Sequence, residues 1–363
     1  HIGDTQKRLI DKVASLKVRD SDGLLQLVAD KDLRFNAATV ESAGSLYAKA
    51  KGNMVVDSLR MTENTYSGGG DNFRRVRKEQ DIGTVIQARD DLTLIGDQSF
   101  YAKAAQIVSE NGRVHLQSNG DMNIVSGLAI DEEESKSKSK KRRRLGTSKK
   151  TTETYNYRYD ETALASIVSG KTVSVVGNNI GVTASHLLAN QDVIIQGKGR
   201  VKIEGELENH AQAYSHSVKK SGLSGSFKRG VLSAHLGTRK QGGGTDGKEQ
   251  SVAVSSINSL NGNVMVSAGD KITINGSSVA ARKNILLSGS DIELGAIYSH
   301  GDRSQHSYAK SSGIGVSLTL SPLLAAFDAA RNHYKGNAGG GKSIIGKSTT
   351  FADSVDEFGQ RLT

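Results

Sequence analysis

The sequence predicts an all-β chain, specifically a right-handed parallel β-helix that carries polar excursions and ends in a short helix. The first observation behind this is a recurring phrase of an apolar residue, a polar one, a second apolar one and then Gly, Asn, Asp or Ser. It reads Leu33-Arg34-Phe35-Asn36, Leu92-Thr93-Leu94-Ile95-Gly96, Val173-Ser174-Val175-Val176-Gly177 and Ile272-Thr273-Ile274-Asn275-Gly276. Period-two alternation puts both apolar residues on one face of a short strand. Many such strands cannot each find a separate core, but stacked as rungs they bury one continuous apolar column. The second observation is composition: 36% hydrophobic residues, 5% aromatic, no Trp and 41 Gly describe many small strands and turns. The third is a single Pro, since proline removes a ladder donor and would interrupt a continuous stack.

In chain order, residues 1–20 form a lead-in, where Leu9, Ile10, Val13 and Leu16 share a helical face and suggest one short helix. Residues 21–320 form the repeat body, with strand-rich blocks near 22–62, 84–130, 166–209 and 252–300 and about ten rungs spaced by ~4.8 Å. Within a rung, Val201, Ile203, Ile272 and Ile274 should face inward and Lys202 and Thr273 outward. Polar excursions near 62–83, 131–166 and 210–250 separate the blocks, each longer than a usual connection, and read as loops, flexible hairpins or disordered segments. They open alike, with Tyr among Ser, Thr, His and Asn, as in Asn64-Thr65-Tyr66-Ser67 and Ala213-Tyr214-Ser215-His216, so they belong to the repeat. Residues 321–363 differ. Ser321-Pro322 is an N-cap followed by proline at the first helical position, Leu323, Leu324, Phe327 and Ala330 give a helical stripe, and Lys335-Gly336 closes it before a Gly-rich tail.

The chain contains no Cys, which excludes a disulfide framework, a thiol nucleophile and Cys-based metal sites. No apolar run is long enough for a membrane-spanning helix. The formal charge of +10 is concentrated: residues 131–150 hold nine basic side chains against four acidic ones. The cations are Lys136, Lys138, Lys140, Lys141, Arg142, Arg143, Arg144, Lys149 and Lys150, a candidate polyanion-binding run. Interleaved Ser and the acids Asp131 to Glu134 equally describe a solvated loop. Tyr155, Tyr157 and Tyr159 downstream either stack on bases or sugars or form one face of a hairpin, and alternation favours the hairpin.

Other motifs give no site. Gly336 to Ser343 fits the phosphate-loop pattern, but a helix precedes it where a strand is required, so it reads as a glycine linker. His210, His216, His300 and His306 show no metal-ligand spacing and read as surface polar residues. Parallel β-helices also include polysaccharide lyases and hydrolases, for which Asp90, Asp91, Asp270 and Asp291 are the candidates here. They sit at turn positions where Asp is expected for backbone reasons, so neither catalytic residues nor a cofactor is assigned.

The strand phrases, turns and Tyr/Ser-rich excursions resemble the haemagglutinin repeats of filamentous haemagglutinin-like exoproteins. The residues that carry this are Ser217-Val218-Lys219-Lys220-Ser221-Gly222, then Lys240-Gln241-Gly242, then Ser267-Ala268-Gly269-Asp270-Lys271-Ile272-Thr273-Ile274-Asn275-Gly276-Ser277. The resemblance spans residues 20–320. It implies a two-partner-secreted protein of the bacterial cell surface, an adhesin or a contact-dependent growth inhibition effector. Its expected partners are an outer-membrane transporter and a target-cell receptor, glycan or lipopolysaccharide, with no specific nucleic acid. No secretion domain and no Val-Glu-Asn-Asn junction is recognisable, which points to an internal segment serving as stalk. The rival is a carbohydrate-active β-helix enzyme acting on acidic polysaccharide.

Overall fold

The computed structural model describes residues 3–142, 148–228 and 231–319. By contacts the chain divides into two units, residues 1–141, 150–219 and 240–310, and residues 142–149, 220–239 and 311–363. The first unit contains the β-helix. The described residues of the second are strand segments, with left-handed glycines at Gly222, Gly237 and Gly313.

The first unit is built from three-stranded rungs. Rung 3, for example, comprises Val85–Ala88, Leu92–Gly96 and Ser99–Lys103. Corresponding strands of successive rungs pair in parallel and make three eight-stranded sheets. Among the described residues there are therefore eight rungs rather than ten, covering residues 15–36, 39–57, 85–103, 106–125, 167–183, 186–204, 256–275 and 278–295. The count fell because some apolar phrases are two strands of the same rung, as Val193–Gly197 and Val201–Glu204 are.

In-register stacking turns the alternation into columns of like residues. Val40, Ile86, Ile107, Val168, Leu187 and Ile257 follow one another through the first sheet. Met54, Phe100, Met122, Ile180, Val201 and Ile272 do the same in the third. All of these side chains are buried. The inward register of Val201, Ile203, Ile272 and Ile274 is observed, with Lys202 and Thr273 on the outward row.

Rungs come in pairs, and the two members of a pair are joined by a tight corner. Its residue adopts a left-handed backbone at Ala37 (φ 48), Ala104 (φ 48), Ala184 (φ 43) and Gly276 (φ 51). For alanine this costs about 1–2 kcal/mol. The corner N–H is hydrogen bonded in return: Ala37, Ala104 and Ala184 donate to the carbonyls of Asp57, Val125 and Glu204, the last residue of the next rung.

After each pair the chain leaves the stack in a hairpin. Hairpin 1 is Leu59–Gly69 with Asn72–Ile82, hairpin 2 is Gly127–Arg142 with Ser148–Leu164, and hairpin 3 is Glu206–Lys228 with Val231–Ala253. These six strands, with Gly3–Arg8 at one edge and Gly301–Thr319 at the other, form a fourth eight-stranded sheet. Where described, the excursions are thus paired strands, not loose loops. The spacing explains why two rungs separate the hairpins. Two rungs advance the stack by about 9.6 Å, and the two strands of a hairpin occupy about 9.6 Å of their own sheet, so both structures grow in step.

Among the described residues no helix forms near the N-terminus. Ser15–Val18 is a strand, and Leu16 stacks in register on Val40, because the growing sheet offers backbone partners that an isolated short helix lacks. The helix expected after Ser321 lies outside the described residues.

Candidate functional site

The hairpin sheet holds the candidate groups, and its necks are fastened first. The residue entering each rung after a hairpin is Thr84, Ser166 or Ser255, all fully buried. Thr84 Oγ1 donates to the Asp57 carbonyl (2.7 Å), Ser166 Oγ to Val125 (2.6 Å) and Ser255 Oγ to Glu204 (2.7 Å), closing the base of hairpins 1, 2 and 3. Each hydroxyl also accepts a backbone N–H from the rung below, that of Ala38 (3.2 Å), Ala105 (3.0 Å) or Ser185 (3.2 Å).

At the neck of hairpin 1 the Asp81 carboxylate is 3% exposed yet fully engaged. Arg60 grips both its oxygens (2.9 and 3.0 Å), Lys103 Nζ lies 3.0 Å away, and the Leu128 N–H donates at 3.0 Å. Burial alone would raise its pKa, but the bonds from Arg60, Lys103 and Leu128 prevail and lower it to about 2.

Farther out, hairpins 1 and 2 meet through opposed charge. Arg74 pairs with Glu133 (2.6 Å), Arg75 with Glu134 (3.2 Å), Arg77 with Glu132 (3.4 Å) and Lys78 with Asp131 (3.7 Å). The Asp131 to Glu134 acids, read from sequence as part of a solvated loop, are thus one half of an interstrand zipper. Their partners lie 53 to 59 residues upstream, which no local window spans. The signal was present nonetheless: Arg74-Arg75-Val76-Arg77-Lys78 is a basic run in the neighbouring excursion.

Tyr155, Tyr157 and Tyr159 alternate onto one face of hairpin 2. The Tyr155 and Tyr157 hydroxyls donate to Glu134 (3.3 Å) and Glu132 (3.2 Å), and Tyr159 to Glu161 (2.8 Å). Burial, then the acceptor carboxylate, raises the Tyr159 pKa to about 12. Tyr66 and Phe73 stack with ring centroids 6.3 Å apart on hairpin 1.

The described cations of the basic run lie on the strands of hairpin 2. Lys138 contacts Asp71 (3.0 Å) and Glu153 (2.9 Å), and Lys136 lies 3.7 Å from Asp71. Bonds from Lys138 hold Asp71 and Glu153 below the usual carboxylate range. Lys140, Lys141, Arg142 and Lys150 are exposed and Lys149 is half-buried. Arg143, Arg144 and the Gly336 to Ser343 motif lie outside the described residues.

The remaining candidates are not brought together. Asp91 Oδ1 accepts the Arg113 N–H (2.8 Å) at a corner of rung 3, whereas Asp291 pairs with Lys271 (3.3 Å) in rung 8. Asp90 is the neighbour of Asp91, and Asp270 sits at a turn of rung 7. His210 bridges Asp160 (3.2 Å) and Ser251 (2.9 Å), and His216 meets Thr154 (3.2 Å), as polar contacts within the sheet. Among the described residues no cluster of His, Cys, Asp and Glu suits a metal ion.

Parallel rungs in a fixed two-to-one ratio with hairpins define a tandem-repeat β-helix, a protein that grows by adding modules. Sequence comparison gives a partial match. The Hemagglutinin repeat profile matches residues 236–356. Toxin CdiA of Yersinia pestis is 29% identical over 46% of this chain and 5% of its own length. Deoxyribonuclease CdiA of Dickeya dadantii is 26% identical over 82% of this chain and 9% of its own. The 16S rRNA endonuclease CdiA of Enterobacter cloacae is 30% identical over 47% and 5%. The chain therefore spans less than a tenth of the length of these three relatives. No solved structure matches. Residues 236–356 are thus similar to a haemagglutinin repeat, and the chain is similar to a part of these CdiA proteins.

Proposed function

We propose that this segment is a spacer on the bacterial cell surface that supports contact with a neighbouring cell and delivery of a toxin carried elsewhere in the parent chain. The observation behind this is the module itself. Two rungs and a hairpin present the same edges they cover, so modules extend a stack without changing its design. Relatives named as a toxin, a deoxyribonuclease and a 16S rRNA endonuclease share these repeats, which suits one stalk serving different cargoes. On this reading the repeats catalyse nothing, and the parent chain is exported by an outer-membrane transporter of the two-partner type.

The test is deletion of residues 85–166 from the parent exoprotein, which removes rungs 3 and 4 with hairpin 2 and joins Thr84 to Ile167 in phase. Secretion and inhibition of co-cultured target cells should persist, because one module is dispensable to a spacer. Abolished inhibition with normal secretion and folding would overturn the reading. Cleavage of an acidic polysaccharide by the purified segment would instead favour the enzyme.

The distal basic run, from Lys140, Lys141 and Arg142 through Arg143, Arg144, Lys149 and Lys150, is the proposed polyanion contact. Lys136 and Lys138 contribute less, since carboxylates already face them. Binding to heparin or lipopolysaccharide should be weak and fall steeply with salt, as exposed charges are screened within about 8 Å at physiological ionic strength. Replacing Lys140 to Arg144 with Ser should remove it; unchanged binding would exclude the run.

A further inference from the structure

The junction between hairpins 2 and 3 contains a chain of polar groups that the spacer role does not use. The strand Ser148–Leu164 of hairpin 2 lies beside Glu206–Lys228, the outgoing strand of hairpin 3, which in turn lies beside the returning strand Val231–Ala253. His210 stands on the middle strand and reaches both neighbours. Its Nδ1 is 3.2 Å from Asp160 Oδ1 on one side, and its Nε2 is 2.9 Å from Ser251 Oγ on the other. Ser251 Oγ donates in turn to Glu208 Oε2 (2.9 Å), and Glu208 Oε1 accepts the Ala163 N–H (2.7 Å), which closes the circuit back on hairpin 2.

Counting donors places the protons. Ionised Asp and Glu only accept, and a serine hydroxyl has a single proton to give. That proton goes to Glu208, so Ser251 Oγ accepts from His210 Nε2. Asp160 accepts from Nδ1. Both ring nitrogens therefore donate, which only the imidazolium does. With one proton fewer, either Nδ1 turns a lone pair on the Asp160 carboxylate, or Nε2 claims the Ser251 proton and leaves Glu208 facing an oxygen lone pair.

The surrounding charge favours the same state. Hairpin 2 faces the ring with Asp160, whose other oxygen pairs with Arg158. The ring's own strand supplies Glu208, and the returning strand supplies Glu249, exposed and on the face of Ser251 by alternation. Asp160, Glu208 and Glu249 against the single Arg158 guanidinium leave negative charge for a cation to balance. His300 and Asp302 stand one strand farther away, since the Gln250 N–H donates to the His300 carbonyl (2.9 Å). The ring is 31% exposed and Asp160 28%, so the proton exchanges with solvent directly.

We propose that His210 is a proton-operated fastener between hairpins 2 and 3, tying Asp160 to Ser251 and Glu208 when it carries both ring protons and loosening the junction when it loses one. The full set of bonds needs the second proton. The fastening is therefore complete in mildly acid solution and is lost as pH rises through the range where histidine changes charge. Ser251, His210 and Asp160 also have the spacing of a nucleophilic triad, but there the hydroxyl donates to the imidazole, whereas here it donates to Glu208.

The test is hydrogen exchange read by mass spectrometry on the whole chain at about pH 5.5 and about pH 8, either side of the histidine range, with protection corrected for the intrinsic effect of pH on exchange. Protection of residues 158–164, 206–212 and 249–253 should fall about fivefold at the higher pH, a modest step because partial exposure screens the pair. Residues 85–103 of the stack should not change. His210→Gln, which stays neutral, should sit at the wild-type high-pH value under both conditions. Ser251→Ala keeps the Asp160 contact and should leave a step of about twofold. His216→Gln, altering the neighbouring histidine bonded to Thr154, should leave the step intact. Circular dichroism should show that all three variants fold. A step that persists in His210→Gln, no step in the wild type, or labelling of Ser251 by a fluorophosphonate, which needs its proton on His210, would overturn the proposal. None of these results bears on the module deletion that tests the spacer role.

Discussion

Deleting residues 85–105 would remove one rung and join Thr84 to Gln106, the residue that already pairs with Val85 in the next rung. The apolar column would survive, because Ile107 would stack on Val40 as Ile86 does now. The hairpins would not. One rung advances the stack by about 4.8 Å, while hairpins 1 and 2 need about 9.6 Å between equivalent strands. The pairing between Asn72–Ile82 and Gly127–Arg142 includes eight residue pairs, from Ala129↔Gln80 to Lys136↔Phe73. At about 0.2–1 kcal/mol for each cross-strand pair, roughly 2–8 kcal/mol of local stability is at risk. Hydrogen exchange read by mass spectrometry should show protection of residues 72–82 and 127–142 falling about 100-fold, equivalent to about 2.7 kcal/mol, while residues 39–57 and 106–125 change little. The in-phase deletion of 85–166 should keep hairpins 1 and 3 protected. Equal protection of the hairpins after both deletions would refute the commensurate spacing argument.

Three further outcomes are expected. Ser166→Ala leaves the Ala105 N–H without its partner and the Val125 carbonyl with one donor instead of two, so it should cost about 2–4 kcal/mol in denaturant unfolding, whereas Thr84→Ser, which keeps the hydroxyl, should cost less than about 1.5 kcal/mol; similar losses would disprove the neck clamp. Ile203→Asp puts a carboxylate into the buried column and should unfold the neighbouring rungs, while Lys202→Ser on the outward row should stay within about 0.5 kcal/mol in thermal melts, and equal effects would reverse the register. Asp81 has a lower pKa folded, about 2, than its ordinary 3.8, so its stabilisation is complete above about pH 5 and is lost as pH falls toward 2; the loss is about 2 kcal/mol, and Asp81→Asn should flatten that part of the stability–pH curve, an unchanged slope counting against the network.

Alternation alone determined which face of each strand is inside. Val201, Ile203, Ile272 and Ile274 are legible as core because a period of two is a local property and needs no knowledge of neighbours. The excursions were legible as repeated features through their tyrosines, but not as a sheet. Tertiary structure decided the strand partners. Arg74 meets Glu133 and Ser166 meets Val125 across 59 and 41 residues, distances set by how far two rungs climb. For the same reason Asp131 to Glu134 looked like solvation. What surrounds a charge in this fold depends on which hairpin stacks beside it, and that depends on the match between the rise of two rungs and the width of two strands.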